Sequence, residues 1–192
     1  DYNTVTGSTS DTNGNAGILV GWASDGNTVT GCRLARNATD GIVVFDTSTA
    51  NTLSSNTCES NAQSGIHLYN NASGCTMLAN NVRNNTDYGI HIDSSPGCAV
   101  RQNSASGNQV NVYAVKSPRC VFDTNTVTGA TGKGLQLDHS DSWCRVSGNT
   151  VYANGNDGIY LAGASNGCTV TANQVRGNGA SGIALWLVND AL

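Results

Sequence analysis

The sequence predicts an all-β fold, a parallel β-helix wound as a solenoid, and three observations predict it. A Gly-Ile pair recurs along the chain at nearly constant spacing, each recurrence carries three short segments of alternating apolar residues, and asparagine falls in columns between those segments. The 192 residues hold 23 Gly and 25 Asn, so a quarter of the chain is made of residues that helix interiors disfavour. An internal repeat of this kind decides the architecture before any single element is considered.

The pair stands at Gly17-Ile18, Gly41-Ile42, Gly65-Ile66 and Gly89-Ile90, then at Gly134-Leu135, Gly158-Ile159 and Gly182-Ile183, with Asn111-Val112 filling the register between. The eight registers are 24, 24, 24, 22, 23, 24 and 24 residues apart. The first segment of each repeat reads as in Ile66-His67-Leu68 and Ile159-Tyr160-Leu161. Ten residues after the Gly comes a second, as in Cys75-Thr76-Met77, Cys144-Arg145-Val146 and Cys168-Thr169-Val170. Seven residues further lies a third inward position, occupied by Leu34, Cys58, Val82, Val127, Val151 and Val175. Alternation over three to five residues bounded by Asn and Gly marks strands, and three such strands with their turns use up one coil. The prediction is about eight coils of 22–24 residues, three short strands in each.

The corners follow from the same spacing. Asn56, Asn80, Asn103, Asn125, Asn149 and Asn173 fall between second and third strands, and Asn37, Asn61, Asn85, Asn154 and Asn178 after the third. Asn tolerates left-handed backbone, so these positions are expected to make the tight turns themselves. Stacked every ~4.8 Å, their amides can also donate and accept along the column. Cys75, Cys98, Cys120, Cys144 and Cys168 share another repeat position and are expected to pack as reduced interior side chains, because in-register Cβ vectors give a poor disulfide torsion.

Composition narrows the function. Nine Lys+Arg against 13 Asp+Glu, a net charge of −4, offer no basic surface for nucleic acid. No apolar run approaches the ~20 residues of a membrane span, and Asp1 opens no signal-like segment. No Cys/His spacing of a zinc site occurs, so no metal and no cofactor is expected beyond a divalent cation at an acidic substrate.

Repeats such as "SGIHLYNNASGCTMLANNVRNN" and "DGIYLAGASNGCTVTANQVRGN" resemble the right-handed parallel β-helices of the pectate-lyase-like superfamily, in the NosD-type form also seen in polysaccharide lyases, mannuronan C5-epimerases and phage tailspikes. The resemblance covers essentially the whole chain and implies a right-handed, single-stranded helix whose Gly-Ile sheet carries a carbohydrate groove. The chain lacks the epimerases' Asp-Pro-x-x-x-Tyr motif and a clustered Asp calcium site. Asn3-Thr4-Val5-Thr6-Gly7 copies Asn27-Thr28-Val29-Thr30-Gly31, so the chain opens in mid-coil. Residues 1–192 are therefore expected to form a single β-helix domain belonging to a larger protein, or one whose ends are covered by a homo-oligomer or by end-to-end stacking. The apolar stretch Ala184-Leu185-Trp186-Leu187-Val188 is expected to lie against its own last coil or a partner.

Strand alternation turns every second side chain to solvent. On the Gly-Ile strands the middle coils thus expose His67, Tyr69, His91, Asp93, Tyr113, Gln136, Asp138 and Tyr160 on one face, with Lys116 and Arg119 close by. Aromatic faces suit pyranose C–H groups, and carboxylates and imidazoles bind hydroxyls. His67, His91, Asp93, Tyr113 and Asp138 are the catalytic candidates; Tyr69, Lys116, Arg119, Gln136 and Tyr160 are the substrate-binding ones. By the resemblance, His or Tyr would move the C5 proton of a uronate. Paired hydrolysis by Asp93 and Asp138, roughly 9.5 Å apart by strand spacing, is the other chemistry on offer.

Two functions follow. One is an extracellular or virion-surface β-helix that binds polysaccharide along the Gly-Ile sheet, with modification as a lyase, C5-epimerase or glycoside hydrolase within its reach. The other is a purely structural shaft or fibre segment that assembles with other subunits and does no chemistry. Either way the stacked interior must stay apolar. Ile90→Asp is expected to unravel several coils together, since an unpaired buried charge costs several kcal/mol out of a total stability of about 5–15 kcal/mol. Circular dichroism melts should show a broadened transition at much lower temperature.

Overall fold

Three-residue strands such as Ile66–Leu68 are too short to persist alone, and they survive because every coil lays its strands against those of the next. The computed structural model describes residues 1–139, 141–163 and 165–186, so Leu187 and Val188 of the apolar tail lie outside the described residues. It is a right-handed parallel β-helix with three eight-stranded parallel sheets and, among the described residues, no helix. The Gly-Ile sheet comprises Ile18–Val20, Ile42–Val44, Ile66–Leu68, Tyr88–Asp93, Val110–Val115, Leu135–Asp138, Ile159–Ala162 and Ile183–Trp186. A second sheet runs from Thr4–Thr6 to Thr169–Thr171 and a third from Thr9–Asp11 to Gln174–Arg176. Ile66 pairs with Ile90, Ile90 with Val112 and Leu135 with Ile159, so the predicted register holds through the two short repeats.

The core is a set of stacked columns. Ile42, Ile66, Ile90, Leu135 and Ile159 from the first sheet are fully buried. They meet Leu53, Met77 and Phe122 from the second sheet and Leu34, Cys58 and Val82 from the third. At Gly65 an added Cβ would stand 2.9 Å from Asn85 Nδ2 and 2.2 Å from Val82 Cγ1. Glycine recurs at this register because the next coil's Asn amide and core side chain occupy the space.

The Asn columns hydrogen-bond as expected. Asn56 Nδ2 donates to Asn80 Oδ1 at 3.0 Å and to the Val29 carbonyl at 2.9 Å, while the Asn56 backbone N–H also donates to Asn80 Oδ1. The same pattern continues through Asn103, Asn125, Asn149 and Asn173, and in the other column from Asn13 to Asn85. The turn itself is a correction. The ladder Asn residues are not left-handed; the residue before each is, as at Ser55, Ala79, Gln102 and Thr124 with φ of 54–56°. The corner residue keeps its side chain outside, which frees the Asn to turn inward. Each such φ costs a non-glycine residue on the order of 1 kcal/mol, which the ladder bonds offset.

The five cysteines form the predicted column, and all seven cysteines are free thiols. Burial pushes the Cys58 thiol well above its ordinary 9.0, so it is inert. The cysteine column continues a third ladder: Asn3, Asn27 and Asn51 bond to one another one coil at a time, and above them Cys98 N–H donates to Cys120 Sγ at 3.3 Å, where Asn27 N–H donates to Asn51 Oδ1.

One rung is built from an exchange of positions. Ala130 stands where the column calls for Asn, and Asn111 stands where the repeat calls for Gly. The Asn111 amide moves into the gap. It accepts from Asn108 Nδ2 at 2.8 Å and donates to Asn154 Oδ1 at 3.2 Å and to the Thr128 carbonyl at 2.9 Å. Asn111→Gly should therefore cost about 1–3 kcal/mol by leaving buried amides unpaired, and Ala130→Asn alone a similar amount by overpacking. The double variant restores the ordinary repeat, so a denaturation cycle should show a strong favourable coupling between the two changes.

Candidate functional site

The strand register assembles one chemical face on the outside of the Gly-Ile sheet. Leu19, Val43, His67, His91, Tyr113, Gln136 and Tyr160 follow one another in a single outward column, coil by coil. Two residues further along the strands, Asp93, Val115 and Asp138 form another. Of the ten expected site residues, these columns unite His67, His91, Asp93, Tyr113, Gln136, Asp138 and Tyr160. Tyr69 stands in the Asp93 column, one coil before it. Lys116 begins the corner after Val115, exposed and left-handed at φ 50°. Arg119 sits past that corner, just ahead of the second-sheet strand Val121–Asp123, and does not join the face.

Aromatic rings dominate the face. Trp22 meets Phe45 at 5.1 Å between centroids, Phe45 stacks on Tyr69 at 5.4 Å, and Tyr69 lies 4.8 Å from His67. His67 stacks on His91 at 4.4 Å and 9°, His91 on Tyr113 at 5.2 Å, and Tyr88 closes against both His91 and Tyr113. Seven rings thus run without a break across five coils. The run crosses the strands diagonally, from Trp22 beyond their ends to Tyr88 before the Gly register. At Gly21 a Cβ would fall 2.1 Å from Phe45 Cε1, so glycine there is what lets the Phe45 ring lean over the previous coil. Further along, Lys133 Nζ stands 4.0 Å over the Tyr160 ring.

The acidic groups are held differently. Asp138 accepts from the His139 backbone N–H at 2.9 Å and from Gln136 Nε2 at 3.3 Å, and its Oδ1 lies 3.0 Å from His139 Nδ1. Asp93 accepts from Ser94 Oγ. Asp40 is almost fully buried, accepts from the Ser64 backbone N–H at 2.9 Å and lies 3.8 Å from His67 Nδ1. His67 Nε2 is buried with no hydrogen-bond partner.

Burial, with His67 alongside, lowers the His91 pKa to about 4, so this imidazole is neutral at neutral pH. Burial, with Asp138 and the other acidic neighbours, raises the Tyr113 phenol to about 12. Tyr113 therefore stands as a hydrogen-bond donor, and its raised pKa works against the expected role of proton abstractor. Asp141, wholly buried in a column that also holds Ser24, Ser48, Ala72, Ser95, Ser117 and Ser165, is raised to about 7 by burial although it accepts from the Ser117 and Asp138 N–H groups.

Sequence reasoning missed Trp22, Tyr88 and Asp40 as members of this face. Trp22 and Asp40 lie outside the strands, and Tyr88, at the start of its strand, has the parity of the inward Ile90, so the period-two pattern does not place them on this face. Phe45 is legible in the sequence as an outward strand position.

A three-sheet parallel β-helix with a one-sided aromatic face defines the class of protein. Residues 59–190 match the family model described as periplasmic copper-binding protein (NosD), and residues 1–105 match the right handed beta helix region. The chain belongs to the NosD family of right-handed β-helix proteins. Its fold is similar to that of the periplasmic alginate epimerase AlgG, with a TM-score of 0.75 at 17% identity over 97% of this chain and 50% of that one. It is similar also to the Azotobacter vinelandii mannuronan C-5 epimerase AlgE4 A-module, with a TM-score of 0.74 at 14% identity over 93% of this chain and 57% of that one. A third likeness is PfbA, a surface adhesin of Streptococcus pneumoniae, with a TM-score of 0.61 at 13% identity over 97% of this chain and 62% of that one. The chain spans about half the length of the epimerase structures it resembles. No curated protein matches it in sequence.

The family description names copper, and the donors here do not suit it. Among the described residues no three His, Cys, Asp or Glu side chains converge on a metal-sized site. His67 and His91 face each other ring to ring, and the buried cysteines and Met77 point into the core.

The two shifted groups titrate in opposite senses. Between pH 6.5 and about 4 the unfolded chain holds a His91 proton that the folded one lacks, so acidification through this range destabilises. Between about 7 and 3.8 the folded chain holds an Asp141 proton that the unfolded one lacks, so acidification stabilises. Relative to wild type, His91→Gln should gain and Asp141→Asn should lose stability as pH falls from 7.5 to 4.5, each on the order of 2 kcal/mol. Thermal melts across that range check both signs.

Proposed function

We propose that this protein binds a polysaccharide chain along the outer face of its Gly-Ile sheet. The observation that carries the reading is the unbroken run of seven aromatic rings from Trp22 to Tyr113. Stacked on one another, these rings make a continuous apolar strip of ring edges against which a sugar chain can pack, while Gln136, Asp93 and Asp138 at its edge supply hydroxyl partners. A sheet surface built from one residue per coil repeats every ~4.8 Å, which suits an extended polymer better than a single small molecule. The alginate and mannuronan epimerases among its structural likenesses support a carbohydrate setting. The periplasmic epimerase and the surface adhesin support a place outside the cytoplasm.

Hydrolysis is the chemistry this face favours over proton abstraction. Tyr113 stays protonated, and Asp93 and Asp138 flank Val115 at a separation of roughly 9.5 Å, at the wide end of the range for an inverting pair. In this reading His67 and His91 line the floor, His91 as a neutral ring, and Tyr69 and Tyr160 bind sugar.

Calorimetry with oligosaccharides of four to six units should show saturable binding, weakened about tenfold, or ~1.4 kcal/mol, in Tyr113→Ala and similarly in His91→Ala. Silence across neutral, amino and acidic oligomers would overturn the proposal and leave the structural shaft. Asp93→Asn and Asp138→Asn should keep binding while removing any release of new reducing ends.

A further inference from the structure

The first three coils carry a groove within this face whose chemistry differs from the rest. It encloses about 460 Å³. Its floor is Leu19, Val43 and His67, one wall is Trp22, Phe45 and Tyr69, and the other is Asn15, Thr39, Gln63 and Asp40. The floor and the first wall are apolar or aromatic, and the second wall is polar. No Lys or Arg side chain lines it.

Asp40 is the unusual member. It is 4% exposed, and His67 Nδ1 lies 3.8 Å from it, beyond hydrogen-bond distance. Some acidic side chains meet arginine, as Glu59 does Arg33 and Arg83 and Asp123 does Arg145, whereas Asp40, like Asp157 at the same repeat position, accepts from a backbone N–H one coil on. A second carboxylate stands close by: together with burial, the charges of Asp46 and Asp40 hold the Tyr69 phenol above its ordinary value. The groove therefore presents a nearly buried carboxylate with no Lys or Arg beside it, a second carboxylate, Asp46, near its Tyr69 wall, and an apolar wall of stacked rings. Its carboxylates attract an ammonium group and repel another carboxylate.

We propose that this groove is a subsite for a non-acetylated hexosamine unit, its ammonium group set against Asp40 and its pyranose ring on the Leu19–Val43 floor. The inference rests on the polysaccharide-binding reading and names the sugar class. Asn15, Thr39 and Gln63 are placed to bind the ring hydroxyls. A polyuronate would bring its carboxylates against Asp40 and Asp46, so this half of the face selects against it.

The test is calorimetry on the 192-residue chain with glucosamine, N-acetylglucosamine and galacturonate tetramers at equal ionic strength. The expected result is glucosamine tetramer binding at least tenfold tighter than either other oligomer, with the preference shrinking at high salt. Asp40→Asn keeps an acceptor for the Ser64 N–H and should abolish the preference, whereas Phe45→Leu, which leaves the carboxylates in place, should keep the preference while weakening all three tetramers. Equal or tighter binding of the acetylated or acidic tetramer, or an Asp40→Asn variant that folds and keeps the preference, overturns the hexosamine subsite. In either case binding that is still weakened by Tyr113→Ala leaves the broader reading standing. Failure of all three tetramers to bind overturns both.

Discussion

The side-chain amide that bonds to its counterpart one coil away is the interaction on which this molecule depends. A solenoid corner must bury backbone groups that no strand can pair. Asn answers this because one side chain supplies an acceptor for the previous coil's N–H groups and a donor for the next amide and a nearby carbonyl. Asn56 accepts from the Cys32 N–H one coil before and donates to Asn80 Oδ1 and to the Val29 carbonyl. Every rung so satisfied holds two coils in one register, and the left-handed corner residues are tolerated because the ladder over-determines them.

Register is also what makes a surface. Residues 22–24 apart become neighbours, so chemically unrelated stretches of chain contribute single side chains to one continuous strip. Trp22, Phe45, Tyr69, His91 and Tyr113 each come from a different coil, yet their rings form one run. The rigid scaffold fixes the spacing, and short turns keep the face open along its length. This favours recognition of a long polymer over enclosure of a small one.

Family membership and fold likeness bound this picture without completing it. An epimerase and an adhesin share the winding at 13–17% identity, so the winding itself carries no activity. The local residues distinguish this chain: a phenol pushed up to about 12, a histidine held neutral, and an acidic aromatic groove in the first coils. None of the described donors gathers around a metal, despite the copper in the family's description.

Most of the fold was legible in the spacing. The recurrence of Gly and Asn every 22–24 residues dictated coil count, strand positions, the cysteine column and the outward column of His67, His91, Tyr113 and Tyr160, because a strand's period of two leaves no freedom once the coil length is set. What only the tertiary structure decided lies at corners and exceptions. Which corner residue turns left-handed, how Asn111 replaces a missing rung beside Ala130, and how Trp22, Tyr88 and Asp40 reach the face all depend on contacts that strand alternation does not specify. Their directions are set by the coils stacked on either side, and a linear pattern does not contain those neighbours.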